Sequence, residues 1–430
     1  MAPSKKTFQI GIIGCGDMGK FYARQFVKAG WKKVNVCDIP SKYDALKAEL
    51  DGTGVNVCPD GFSVSRQSDF ILYSVEAALI DKVVSLYGPA TKLGAIVGGQ
   101  TSVKQPEIAA FEKYLPSDVH IVSCHSLHGP GVNPKGLPLV MIQHRCPDEK
   151  FAQVVSVMKC FESSMVFLTA EEHDRITADT QAITHLAFLS MGSAWKEQLQ
   201  FPWENPQYIG GIENVKILMS LRIYANKWHV YAGLAIMNPS AQLQVRQYAR
   251  SVSELFKLMI QEREDEFRQR LKQAADYVFG TEQRQPILLS DALLDKFSLS
   301  SIPKDQRKAN SHLSLLSMVD CWYHLGIKPY EHLICQTPPF RLLLGITEYL
   351  FRNVDFLDSA LTAAIHDKDI RADDMEFCSA AARWAECIEH SSMDSYRIRF
   401  EQTSDFFKER LKTAAQRSSA LIESISQKTV

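Results

Sequence analysis

From residue 9 to about residue 145 the chain alternates short apolar runs with longer stretches of helical period. Apolar runs at 9–13, 34–38, 70–74, 94–98, 120–124 and 139–143 predict strands. Segments 18–28, 43–50, 77–87 and 105–114 predict the helices between them. This rhythm predicts a parallel sheet covered by helices, with its binding crevice at the carboxyl ends of the strands. Three such ends carry unusual residues, at 74–76, 98–104 and 124–130. After one more strand at 165–168 the pattern changes. Thr169-Ala170-Glu171-Glu172 reads as a capping box, with Thr169 as N-cap and Glu172 answering it, and opens a long helix to about Trp195. Helical periodicity continues over 213–236, 241–279, 313–325, 340–356, 360–366, 373–390 and 404–425, with an exposed excursion at 280–310. The expected architecture is an α/β domain at 1–168 followed by an all-α domain at 169–430, with an extra helical layer from about 310.

The first strand runs into Gly14-Cys15-Gly16-Asp17-Met18-Gly19, a G-x-G-x-x-G turn that opens a helix. The spacing has a physical reason. Gly14 permits the tight turn, Gly16 lets backbone approach a diphosphate, and Gly19 lets helix pack on strand, with the anion at the positive helix end. Asp38 ends the next strand about 20 residues on, where such a turn places a ribose-binding carboxylate. Gly14, Gly16, Asp17, Met18, Gly19, Asp38 and Ser74 are therefore the expected cofactor-binding residues. Ser41 and Lys42 follow Asp38 closely and could offset its repulsion of a 2′-phosphate.

Composition narrows the class. A net charge of −1 gives no support for nucleic acid or an anionic membrane as partner. No apolar run approaches the roughly 18 residues of a membrane span. Ten cysteines without a C-x-x-C pair suggest reduced thiols, a cytoplasmic protein and no zinc site. The N-terminus runs straight into the first strand, so no leader is expected.

His125 lies at the end of the fifth predicted strand, in a segment closed by Gly129-Pro130. An imidazole there could accept a hydroxyl proton while hydride leaves the same carbon; it could equally bond backbone. His128 is a weaker candidate. Ser102 could hydrogen-bond a substrate or His125, and Lys104 could be a solvated charge. On the first long helix Thr177, Gln181 and His185 recur every fourth position within an apolar segment, and such a stripe needs polar partners. Arg222, Asn226 and His229 share a face of the next helix. A buried arginine calls for a carboxylate, from a substrate or from the protein. His173-Asp174, near the helix start, could be no more than dipole-complementing polarity.

These segments together resemble the prephenate dehydrogenases, most closely the fungal form. The likeness rests on the glycine turn, Gln100-Thr101-Ser102-Val103-Lys104, His125-Ser126-Leu127-His128-Gly129-Pro130, His173-Asp174 with Gln181-Ala182-Ile183-Thr184-His185, and Arg222-Ile223-Tyr224-Ala225 with Tyr231-Ala232. It covers 8–236 strongly and extends to Asn310-Ser311-His312-Leu313-Ser314-Leu315-Leu316. The resemblance implies a Rossmann-type domain and oxidative decarboxylation of prephenate, with NADP as cofactor and NAD as the alternative. It implies His125 as base assisted by Ser102, Arg222 as carboxylate ligand, and Gln181 and His185 lining the pocket. It needs no metal, and a homodimer fits such helical domains. Two positions depart from the pattern. Ser126 stands where a proline is usual, and Met219 stands where some bacterial members place Asp. Arogenate dehydrogenase shares these motifs. A β-hydroxyacid dehydrogenase would need a lysine base on the first long helix, where only the ill-placed Lys196 is found. A non-catalytic NADP sensor is the remaining reading.

Overall fold

The structure, a computed structural model, describes residues 3–204, 208, 210–280, 289, 309–331 and 338–426. They form two compact units, Met1–Arg175 and Ile176–Val430.

The first unit is built on an eight-stranded sheet. In chain order it contains β1 (Gln9–Ile13), α1 (Asp17–Lys28), β2 (Lys33–Cys37), α2 (Tyr43–Glu49), β3 (Val55–Val57), α3 (Gly61–Gln67), β4 (Phe70–Tyr73) and α4 (Ile80–Tyr87). There follow β5 (Ile96–Gly99), α5 (Gln105–Tyr114), β6 (His120–Ser126), β7 (Pro138–Arg145), α6 (Asp148–Met158) and β8 (Ser164–Phe167). The strand order is β3-β2-β1-β4-β5-β6-β7-β8. The first six strands of the chain run parallel, their residues withdrawn from water on both faces, which is why they read as continuous apolar runs. One core packs α1 and α6 through Tyr22, Phe26, Val157 and Phe161, and another packs α3 to α5 through Val64, Val84 and Phe111.

The sheet is not wholly parallel, as the strand–helix rhythm suggested. β7 pairs antiparallel with β6 because the connection 127–137 contains no helix to carry the chain back across the sheet. β8 then pairs parallel with β7. Three elements escaped the reading of the pattern. β3 is only three residues long. Helix α3 starts at a glycine, but Asp60 caps it through Ser63 N (2.8 Å). α6 starts after Pro147 with Asp148 and Glu149 in its first turn.

The helix that opens the second half begins with the expected capping box. Thr169 N donates to Glu172 (2.8 Å), and Glu172 N donates to Thr169 Oγ1 (3.1 Å). It runs as α7 (Ala170–Thr177), a π-helical turn at Ala178–Ala182, and α8 (Ile183–Glu197). The second unit is helical: α9 (Ile212–Tyr224), α10 (Trp228–Met237), α11 (Pro239–Ile260), α12 (Glu264–Phe279), α13 (Leu313–Leu325), α14 (Pro338–Arg352), α15 (Val354–His366), α16 (Arg371–Glu389), α17 (Met393–Phe406) and α18 (Lys408–Ser426). Several long helices read from periodicity are broken. The chain turns at Glu262, in the left-handed region, between α11 and α12, and Asn353 caps α15 through Phe356 N. Most of the excursion expected at 280–310 lies outside the described residues. Among those residues no helix is long and apolar enough to cross a membrane.

Candidate active site

The glycine turn has the geometry its spacing demands. Gly14 sits at φ +96°, a conformation open to glycine, and a Cβ there would collide with the carbonyl oxygen of Ser74. A Cβ on Gly19 would collide with the carbonyl of Gly14. At Gly16, by contrast, a Cβ would meet nothing within 4 Å, and no side chain caps the α1 N-terminus that follows. The N–H groups of this first turn, with Asp17 and Met18, thus face a cradle shaped for an anion, and the diphosphate of a dinucleotide fits it.

Asp38 is turned toward this loop. Its Oδ2 accepts the Cys15 N–H (3.0 Å), its Oδ1 accepts the Ile39 N–H (2.7 Å), and Lys42 Nζ lies 3.4 Å from Oδ1. The carboxylate therefore braces the turn it was expected to adjoin. Ser41 and Lys42 are exposed on a short turn, Pro40–Lys42, and Ser74 is half-buried beside Gly14.

His125 is part of β6, opposite Val140, and not in a loop beyond the strand. Its Nδ1 lies 2.8 Å from His173 Nε2, and His173 Nδ1 lies 2.8 Å from Asp174 Oδ1. Asp174 also accepts the Lys104 N–H (2.7 Å) and the Gln105 N–H (2.8 Å), which caps α5. His173 and Asp174 are buried. Burial, then His173, Lys104 and His128, hold the His125 pKa well below 6.5, so the ring is neutral near pH 7. Ser102 is half-buried, and the bond of His125 goes to His173 instead. His128 bonds the Gly129 carbonyl (2.9 Å) and lies edge-on to Phe21. Ser126 meets the Tyr22 hydroxyl at 2.5 Å in a buried contact.

Beneath His125 lies a buried ionic platform. Lys104 is wholly withdrawn from solvent and not a surface charge. Its Nζ donates to Glu107 (3.0 Å), Cys124 O (2.7 Å), Ser123 Oγ (3.2 Å) and Gly99 O (3.3 Å). Glu107 in turn accepts from Thr101 N (3.0 Å), Thr101 Oγ1 (2.6 Å) and Ser123 Oγ. Gly99 leaves room for the Glu107 carboxylate, which a Cβ would strike. Glu107 was missed in sequence; its position on α5 looked like an ordinary polar face.

In the helical unit Gln181 falls inside the π-helical turn, so Thr177, Gln181 and His185 do not form a simple fourfold row. Thr177 is buried, while Gln181 and His185 are half-buried. Burial pulls the His185 pKa down to about 4, its Nδ1 has no hydrogen-bond partner among the described residues, and the ring lies edge-on to Tyr231 at 4.9 Å. Arg222 donates to Ser418 Oγ (3.3 Å) and Ser419 Oγ (3.2 Å), and among the described residues no carboxylate pairs with it. The chain breaks after Tyr224, where Asn226 Nδ2 turns back to the Arg222 carbonyl (2.9 Å), so His229 belongs to α10 and not to the face of Arg222.

A sheet carrying this glycine turn, with a desolvated histidine at the carboxyl end of β6 and a helical unit after it, defines a dinucleotide-dependent oxidoreductase. Residues 9–97 match the family described as NADP oxidoreductase, coenzyme F420-dependent. Residues 182–427 match a family described as a 6-phosphogluconate dehydrogenase C-terminal domain. The chain is 55% identical to the probable prephenate dehydrogenase [NADP(+)] of Schizosaccharomyces pombe, over 98% of both chains. It is 51% identical to the prephenate dehydrogenase [NADP(+)] of Saccharomyces cerevisiae, over 98% of this chain and 94% of that one. The fold is similar to prephenate dehydrogenase from A. aeolicus crystallised with hydroxyphenyl propionate and NAD+, at TM-score 0.50 and 16% identity over 63% of this chain and 96% of that one. The chain belongs to the prephenate dehydrogenase family, in its fungal NADP(+) branch.

Proposed function

We propose that this protein catalyses the NADP-dependent oxidative decarboxylation of prephenate to 4-hydroxyphenylpyruvate and carbon dioxide, a step of tyrosine biosynthesis. The observation that carries this is the likeness to the two fungal enzymes over nearly the whole chain. Bound NADP supplies the hydride acceptor for the ring carbon that bears the hydroxyl. The cradle at Gly14, Gly16 and Gly19, with Asp17, Met18 and Ser74 around it, holds the diphosphate, and Ser41 and Lys42 lie where they can meet a 2′-phosphate beside Asp38.

The residue roles are our reading of the geometry. His125 takes the hydroxyl proton and returns it to the same oxygen after carbon dioxide leaves and the ring becomes aromatic, so the protein stores one proton and releases none. Ser102 hydrogen-bonds the reacting oxygen. Arg222, held by two serine hydroxyls, receives a substrate carboxylate. Gln181 and His185 line the same pocket. The helical region 169–430 binds substrate and pairs two copies into a homodimer, and the protein works in the cytoplasm.

The test is absorbance at 340 nm after mixing the protein with NADP and freshly prepared prephenate, with NAD and arogenate in parallel. A rise with NADP and prephenate is expected. A rise with arogenate alone would transfer the activity to that substrate, and no rise in any well, with NADPH still bound, would leave a sensor.

A further inference from the structure

We infer that His173 and Asp174 are positioning residues that fix the tautomer of His125 and share the proton it takes up. This rests on His125 being the base of the proposed reaction.

The donors and acceptors leave one consistent arrangement. Asp174 already accepts two backbone N–H groups at the start of α5, so it acts as a carboxylate, and the His173 Nδ1 beside it must carry hydrogen. Neutral His173 then presents a bare Nε2 to His125. The His125 Nδ1 must donate to it, which leaves His125 Nε2 as a lone pair. That is the form a base needs.

The same chain carries charge away. When His125 Nε2 takes the hydroxyl proton, its Nδ1 proton can pass to His173 Nε2, while His173 Nδ1–H stays on Asp174. The positive charge then sits next to a carboxylate, and the steps reverse when the proton is returned. The need for such help is local. Burial and the Lys104 ammonium both oppose a charge on either imidazole, whereas Asp174 and Glu107 favour one on His173. His128, the other titratable neighbour of His125, also opposes it. Asp174 is the carboxylate in direct contact with the relay, and its backbone bonds to α5 hold it in place.

The experiment uses full-length protein labelled with 15N at histidine, the His125 signals being identified by their loss in His125→Asn. In the wild type, nitrogen shifts should show His125 protonated at Nδ1 and bare at Nε2. In Asp174→Asn the amide can donate to His173, reversing both tautomers. kcat should then fall about 10²–10⁴-fold while KM for NADP and prephenate changes little. The acid limb of kcat should also move to lower pH, because a negative charge has been removed. Asp174 caps α5, so this variant could fail to fold, and His173 supplies the second arm. His173→Gln keeps an acceptor for His125 Nδ1 and should retain at least about tenfold more kcat than His173→Leu.

A wild-type His125 protonated at Nε2 would overturn the inference, as would equal kcat in the Gln and Leu variants. An Asp174→Asn protein with unchanged tautomer and pH profile would do the same. Absence of wild-type turnover would instead sink the proposed reaction, and the nitrogen shifts would still decide the tautomer.

Discussion

Lys104 and Glu107 meet at 3.0 Å with both side chains wholly shut off from solvent, one turn apart at the start of α5. Each charge is compensated by the other and by polar groups from β5 and β6. Removing one partner strands the other. Lys104→Met should therefore lower unfolding free energy by about 3–5 kcal/mol, read by urea denaturation. A variant as stable as the wild type would mean that Glu107 takes up a proton at little cost.

Activity should extend unusually far into acid. His125 works as a neutral base, and its pKa lies well below 6.5, so the base form is present above that low value and is lost only as pH falls through it. The acid limb of kcat/KM should lie below pH 6.5. His125→Asn should lose about 10²–10⁴-fold in kcat with NADP binding intact. A limb at or above pH 6.5 would place the titration elsewhere.

Gly16 and Gly19 separate ligand space from packing space. Gly16→Ala meets no protein atom, so melting temperature should hold while KM for NADP rises. Gly19→Ala drives a methyl into the Gly14 carbonyl and should destabilise the fold by about 1–3 kcal/mol. Equal effects of the two on melting would remove the distinction.

Arg222 bonds two hydroxyls and leaves its charge for a substrate anion. Arg222→Gln should lower kcat/KM for prephenate roughly tenfold to 150-fold, the worth of a charged hydrogen bond of about 1.5–3 kcal/mol. Steady-state kinetics at saturating NADP measure this. An unchanged ratio would show that the carboxylate is bound elsewhere.

Asp374, bonded by Ser311, is pushed up to about 7, chiefly by burial. A raised folded-state pKa means that its stabilising contribution is complete below pH 4 and is lost as pH climbs to 7. Between pH 5 and 8 this costs about 3 kcal/mol. Asp374→Asn should show a stability flatter by that amount, measured by urea unfolding at both pH values.

The sequence spoke most clearly where one physical demand fixed several residues at once. The glycine turn, the parallel strands and the Thr169–Glu172 box are of this kind, and the structure has all of them. Asp38 was found at the right place, but its bonds to Cys15 and Ile39 depend on how the turn curls back, which spacing alone does not encode. Lys104 and Glu107 share α5, yet their burial is decided by Ser123 and Cys124 on β6. His173 was set aside as end-of-helix polarity because its partner His125 is remote in the chain. Periodicity likewise could not reveal the breaks at Asn226 and Glu262, since apolar residues continue on both sides.

The wide turn at Ala178–Ala182 changes what a shift in chain length would do here. It absorbs one residue, so Thr177 and His185 stand as if seven positions apart in an unbroken helix, offset by about 20° and not about 80°. The Thr180 hydroxyl bonds the Ile176 carbonyl (2.8 Å) and the Thr184 hydroxyl bonds that of Thr180 (2.8 Å), occupying carbonyls near the widened turn. Deleting one residue here would restore an ordinary turn and leave both faces where they are. The same deletion within Ile183–Glu197 would swing every later side chain of that helix by about 100°. The helix therefore has one joint at which an insertion or deletion is absorbed, and it lies beside the residues assigned to substrate.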